Sequence, residues 1–297
     1  MKFGVVGPGS LGSYLAGLLS KENEVHLIGR RELNIENIKI SGLLDLNTDV
    51  NYSKDPEDLS SSDCIIICTK SYDTEEAIED ISHHIDEETY ILSLQNGLDN
   101  EKIISRYVGE NRVIGGVTSI GITFIEPGHI KLAGDGDTYI GIFPEGGNKF
   151  ITDLAKVFNR AGIKTHTTDN IYGHIWKKVI INSGINPLTA LTGLKNGEIL
   201  ESDDAHDLLI KTCKESARVA LEEVSLPEGD PVKETENVAE LTGENRSSML
   251  QDIENKRKTE IDCINGAVCR TGKKLGIKTP YNKALTALVK AKEKSYL

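Results

Sequence analysis

Residues 2–12, KFGVVGPGSLG, decide the fold. KFGVVG is a short run of the kind a parallel sheet buries, Pro8-Gly9-Ser10 turns the chain, and residues 11–20 carry apolar side chains at helical spacing. Residues 24–28 return to strand character, so strand, helix and strand fit into about thirty residues, the size of a βαβ unit. The glycines at 7, 9 and 12 have GxGxxG spacing between the strand and the helix. In that position the first glycine permits the tight turn and the second lets backbone approach a pyrophosphate. The third allows close helix-to-strand packing, and the helix N-terminus faces the phosphates. Gly7, Pro8, Gly9, Ser10, Leu11 and Gly12 are therefore assigned to a bound dinucleotide, in preference to an ordinary glycine turn.

Further strand patterns fall at residues 64–69, 89–94, 112–117 and 139–142, with helical patterns at 74–83 and 151–161. This alternation predicts a doubly wound, Rossmann-type α/β domain. Residues 118–143, rich in Gly and β-branched residues, suit an antiparallel or hairpin addition. Beyond residue 169 strand patterns give way to helical ones at 171–191, 203–223, 231–242, 248–275 and 282–294. The expected organisation is an α/β dinucleotide-binding domain over residues 1–168, followed by an all-α domain over residues 169–297.

A length of 297 residues with 38% hydrophobic and 27% charged residues reads as a globular protein with chain enough for two cores. No apolar run has membrane-spanning length, and Met1-Lys2 leads straight into a strand, so neither a membrane span nor a signal peptide is expected. Five cysteines without a pairing pattern suit reduced thiols, which points to the cytoplasm. The net charge of −12 argues against nucleic-acid partners and anionic membranes. It leaves room for a small anionic ligand, which answers to a few local cations and amides. Cys64 and Cys68 flank a buried-looking strand with no second pair, and the histidines lack ligand spacing, so no metal site is expected.

At the end of the second strand, where an NAD site usually carries an acid, stand Gly29-Arg30-Arg31-Glu32. Arg30 is a candidate partner for the 2′-phosphate of NADP, while Glu32 leaves NADH open. Lys70 and Asn96-Gly97 follow the third and fourth strand patterns, at the sheet edge where such folds bind ligands. In the helical half, WKKVIINSGINPLTA at residues 176–190 places Lys178, Asn182 and Asn186 at every fourth position, a donor-rich stripe on one face. A lysine buried there has its pKa lowered and can act as general acid. The same pattern also suits a snorkelling lysine with two packing asparagines. Pro187 is expected to disturb the helix near Ser183, kinking it or opening its backbone toward a ligand. Asn245 and Ser248 would share a helical face able to bind a carboxylate, with Glu260 in the same helical region accepting from a hydroxyl or orienting the lysine.

Taken together, the glycine motif, Arg30, Lys70, Asn96-Gly97, residues 176–190, Asn196-Gly197-Glu198, SSMLQD at 247–252 and EIDCING at 260–266 resemble the ketopantoate reductase family nearly end to end. The resemblance implies NADPH-dependent reduction of 2-dehydropantoate to (R)-pantoate, on the route to pantothenate and coenzyme A. It implies Lys178 as general acid and Glu260 as an acidic substrate contact. Asn182, Asn186, Asn196, Asn245 and Ser248 take substrate-binding positions, Asn96 and Lys70 lie near nicotinamide and substrate, and Arg30 contacts the 2′-phosphate. A homodimer is compatible with this reading. Three alternatives stay open: a reductase of another branched 2-oxo acid, a β-hydroxyacid dehydrogenase with a similar Lys-x-x-x-Asn pair, and a non-catalytic NADPH-sensing module.

Overall fold

The structure, a computed structural model, describes residues 1–297. Its strands in chain order are β1 (Lys2–Val6), β2 (Glu24–Ile28), β3 (Asn37–Gly42), β4 (Leu46–Asp49), β5 (Asn51–Ser53), β6 (Cys64–Ile67), β7 (Tyr90–Ser93), β8 (Val113–Thr118), β9 (Gly121–Glu126), β10 (His129–Gly134), β11 (Thr138–Ile142) and β12 (Thr165–Thr167). Contacts divide the chain into two units, Met1–Gln95 with Asn100–Tyr172, and Asn96–Asp99 with Gly173–Leu297.

The first unit is built on an eight-stranded sheet in the order β12-β11-β8-β7-β6-β1-β2-β5. The six strands from β5 to β8 run parallel, and β11 returns antiparallel beside β8. Strand order reverses between β1 and β6, and in open α/β sheets such a switch point opens the crevice where ligands bind. The strands at this point are continuous apolar runs, and Phe3, Val5 and Ile65 to Ile67 are buried on both faces.

Helices α1 (Ser10–Leu19), α2 (Thr74–Ser82), α3 (Asn100–Val108) and α4 (Lys149–Arg160) complete the unit. A second sheet in the order β4-β3-β10-β9 packs on α1, where a Cβ on Gly17 would come 2.9 Å from Ile38. The antiparallel hairpin of β9 and β10 answers the expectation for residues 118–143. The pairing of β10 with β3, which in turn carries β4, both far earlier in the chain, was not foreseen.

The second unit is helical: α5 (Ile171–Thr192), which crosses into it, then α6 (Glu198–Glu201), α7 (Asp203–Leu221), α8 (Pro231–Leu241), α9 (Ser248–Glu254), α10 (Asn265–Lys274) and α11 (Pro280–Glu293). Ile175, Trp176, Val179, Ile180, Ile185 and Leu188 are all buried, so α5 is enclosed on most sides and forms the unit's core element. One expectation is corrected. Residues 248–275 are two helices, because α9 closes after Glu254. Lys256 adopts φ +52°, its N–H reaches the Ile253 carbonyl, and the Arg257 N–H reaches that of Asp252 at 2.8 Å. This is the left-handed closure that glycine usually supplies, here filled by lysine.

Candidate functional site

In the first unit the three motif glycines have separable roles. Gly7 has φ +107°, and a Cβ there would lie 2.9 Å from the Thr69 backbone nitrogen, just beyond β6. A Cβ on Gly12 would come 2.0 Å from the Gly7 carbonyl oxygen, so α1 sits against the turn as closely as backbone permits. Gly9 differs: a Cβ there would meet nothing within 4 Å. Gly9 is the N-cap of α1 and supplies no side-chain hydrogen bond, so the first amides of α1 have no capping side chain. Open space over an uncapped helix N-terminus fits a pyrophosphate, with Pro8 in the turn and Ser10 and Leu11 opening the helix.

Two further residues frame this loop. Lys70 is partly buried and extended at φ −63° and ψ 144°, immediately before a short 3-10 turn. Gln95, overlooked in the sequence, donates from Nε2 to the Thr69 carbonyl at 2.9 Å and to Thr74 Oγ1 at 2.9 Å, fixing the chain between β6 and α2. Arg30 is exposed and already engaged: its Nη1 lies 2.7 Å from Glu76 Oε2 and its Nε 3.4 Å from Asp80 Oδ2, both on α2. Arg31 makes no ion pair, and Glu32 pairs with Lys54.

In the second unit Lys178 is partly buried on α5. Burial pulls its ammonium down to about 8, and the nearby Glu260 carboxylate opposes that shift. Lys177 points elsewhere, pairing with Glu234 at 2.7 Å. Asn182 and Asn186 follow at successive turns. Asn186 is only 5% exposed, yet neither carboxamide has a hydrogen-bond partner in the protein. Asn182 is half-buried, and neither carboxamide is among the buried polar atoms sealed from solvent, so both are open to an external partner.

Glu260 is 4% exposed and accepts from Asn96 Nδ2 at 3.2 Å. Asn96 belongs to the short segment grouped with the second unit. There Leu98 N–H bonds the Cys263 carbonyl at 2.9 Å, and Gly97, at φ +86°, approaches that carbonyl too closely for any side chain. Glu260 stands in the turn before α10 rather than on a helix. The neighbouring Thr259 N–H is held by the carboxylate of Glu293, on α11, at 2.7 Å.

The other expected contacts are placed unevenly. Asn196 donates to Thr242 Oγ1 at 2.9 Å, its N–H bonds the Asn245 carbonyl at 3.0 Å, and its own Oδ1 is buried without a partner. Asn245 lies in the loop before α9, so the helical-face argument linking it to Ser248 does not hold. Ser248 is exposed in the first turn of α9. Ser247 is the cap, accepting from Leu250 N–H at 3.1 Å and lying 2.6 Å from Thr189 Oγ1 on α5.

Pro187 lies inside α5, which stays helical from Ile171 to Thr192. The sequence led us to expect a kink or an opening toward a ligand near Ser183, but the carbonyl freed by the proline is taken up inside the protein. It accepts from Asn265 Nδ2 at 3.0 Å.

A doubly wound sheet with a glycine cradle, joined to a helical unit bearing a desolvated lysine, defines the class of dinucleotide-dependent oxidoreductases. Residues 3–145 match the family model Ketopantoate reductase PanE/ApbA and residues 170–293 its C-terminal counterpart; the chain belongs to the ketopantoate reductase family. It is 41% identical to the 2-dehydropantoate 2-reductase of Pyrococcus abyssi, over 99% of this chain and 98% of that protein. Among solved structures, the PanE/ApbA family ketopantoate reductase of Ralstonia eutropha superposes with a TM-score of 0.91 at 30% identity, covering 100% of this chain and 99% of that one. D-Mandelate dehydrogenase, in a ternary structure with NADH and anilino(oxo)acetate, superposes with a TM-score of 0.92 at 31% identity, covering 100% and 99%. No helix is long and apolar enough to cross a membrane.

Proposed function

We propose that this chain reduces 2-dehydropantoate to (R)-pantoate with NADPH, in pantothenate and coenzyme A biosynthesis. The observation that carries this reading is Lys178, its ammonium drawn down to about 8 by burial, in line with two carboxamides that have no partner in the protein. Residues Gly7 to Gly12 hold the pyrophosphate, Arg30 meets the 2′-phosphate, and Lys70 and Asn96 serve the nicotinamide end. NADPH held by these residues would supply the hydride that the C2 ketone carbon takes up. Lys178 donates its proton to the ketone oxygen as negative charge develops there, so that hydride and proton together give the alcohol. A pKa near working pH suits this step, because the proton is both present and transferable.

Asn182 and Asn186 orient the substrate's carboxylate and hydroxyl through their unused amide groups, with Asn196, Asn245 and Ser248 completing the polar lining. Glu260 favours the protonated form of Lys178 and accepts from Asn96 or from a substrate hydroxyl. Initial rates of NADPH oxidation with 2-dehydropantoate and a panel of other 2-oxo acids test the reading. A clear preference for 2-dehydropantoate supports it, and no oxidation with any of them sinks it.

A second reading, NADH-dependent reduction of another branched or aromatic 2-oxo acid, is favoured by the engagement of Arg30 with Glu76 and Asp80. The likeness to D-mandelate dehydrogenase with NADH favours it too. Running the same panel with NADH and including 2-oxo-2-phenylacetate separates the two readings.

A further inference from the structure

We propose that Glu76 and Asp80 set how far this chain discriminates NADPH from NADH, by competing with the ribose 2′-phosphate for the guanidinium of Arg30. The proposal rests on the nucleotide site of the proposed function. Arg30 follows Gly29, and a Cβ on Gly29 would come 2.8 Å from Pro8 Cγ, so Arg30 is one residue from contact with the glycine loop. The backbone is fixed there: Gly29 N–H bonds the Ser53 carbonyl at 3.1 Å and Tyr52 Oη donates to the Arg31 carbonyl at 2.5 Å. The guanidinium is thus held beside the cradle, where its fork can bind a phosphate bidentately.

That fork is not idle. Glu76 and Asp80 stand one turn apart on α2, on the same face, and Arg30 lies against both, at 2.7 and 3.4 Å. The two carboxylates repel each other at this spacing, and Arg30 relieves the repulsion. The guanidinium is 47% exposed and the carboxylates 62% and 51%, so the contacts are solvent-screened and exchangeable. A 2′-phosphate can displace them, but only by giving up a favourable arrangement. NADH carries a hydroxyl at that position and gains little from Arg30 in either state. The carboxylates therefore weaken NADPH selectively, and Arg31, which has no ion pair, is left as the uncommitted cation of the loop.

The test is a fluorescence titration of NADPH and of NADH into the purified protein without any 2-oxo acid. The paired variant E76Q/D80N is compared with E75Q/E79Q, which makes the same charge change on the same helix away from Arg30. The expected result is a roughly fivefold to tenfold lower Kd for NADPH in E76Q/D80N, with NADH changed by less than about twofold and the control variant moving both nucleotides together. In an R30A background the NADPH gain should vanish. Equal tightening of both nucleotides in E76Q/D80N, no tightening of NADPH, or a gain that survives R30A would overturn the proposal. Because the readout is binding, a failure to turn over 2-dehydropantoate would count against the proposed function and leave this inference standing.

Discussion

Asn265 donates its carboxamide to the Ser183 carbonyl at 3.0 Å, in place of the backbone N–H that Pro187 lacks. The same Asn265 Nδ2 lies 3.0 Å from Asn282 Oδ1, which also accepts from Ser216 Oγ at 3.3 Å. Ser216 Oγ in turn sits 2.8 Å from Ser183 Oγ, closing a buried circuit of side chains from four helices. A proline one residue past Asn186 is thereby accommodated, and α5 carries Lys178, Asn182 and Asn186 on one continuous helix.

Asn265→Ala should therefore destabilise the protein by about 1–3 kcal/mol, the cost of leaving buried acceptors unsatisfied. Pro187→Ala introduced into that variant restores an N–H one turn after Ser183 and should recover part of the loss. Urea midpoints of the two single variants and the double variant form the cycle. Strictly additive effects would mean that Asn265 does not stand in for the missing helical donor.

Asn182→Ala and Asn186→Ala should behave in the opposite way. Their carboxamides hold nothing in the protein, so the change at half-buried Asn182 should alter stability by no more than about 0.5 kcal/mol and that at buried Asn186 by about 1 kcal/mol. Each removes a proposed substrate contact and should lower kcat/KM roughly tenfold to a hundredfold. A large fall in unfolding midpoint with unchanged kinetics would return both residues to the packing role that their helical spacing also allows.

What could be read from the chain were the features written in local spacing. The GxGxxG turn and the four-residue rhythm of Lys178, Asn182 and Asn186 each lie within a single element, where geometry follows from sequence separation. The second sheet was hidden because its inner pair, β3 and β10, joins residues near 40 to residues near 130. β4 reads LNTD, with no apolar alternation to reveal it. The end of α9 was hidden for a different reason: the left-handed position is Lys256 where glycine would have announced a stop, although the polar run ENKRKTE was a usable signal. Asn96 was placed correctly at a strand end, but its tie to Glu260 spans 164 positions and exists only in three dimensions. Glu76 and Asp80 fell within the helical pattern at 74–83 without being singled out, and their hold on Arg30 is likewise a tertiary fact.

Gly9 and Gly12 separate binding from folding within one motif. Gly9→Ala places a methyl where the protein has nothing within 4 Å, so its thermal midpoint should stay close to that of the parent while NADPH binding weakens, because the methyl occupies the space assigned to pyrophosphate. Gly12→Ala sets a methyl 2.0 Å from the Gly7 carbonyl oxygen and should cost roughly 1–3 kcal/mol as α1 is pushed from β1. Thermal unfolding paired with NADPH titration checks both, and equal destabilisation by the two substitutions would contradict the division of labour.

The pH dependence should report Lys178 directly. As the proposed general acid it must carry its proton, and burial sets its titration at about 8, so kcat/KM should be level below that pH and fall about tenfold per unit above it. Glu260 acts on Lys178 in the raising direction. Glu260→Gln should therefore move the alkaline limb to lower pH as well as lower its height, whereas a purely structural role for Glu260 would lower the height alone. Lys178→Met should remove the limb together with at least a hundredfold of the turnover. A profile of kcat/KM from pH 6 to 10 for the three proteins distinguishes these outcomes, and an alkaline limb that stays fixed in Glu260→Gln would break the proposed link between the carboxylate and the acid.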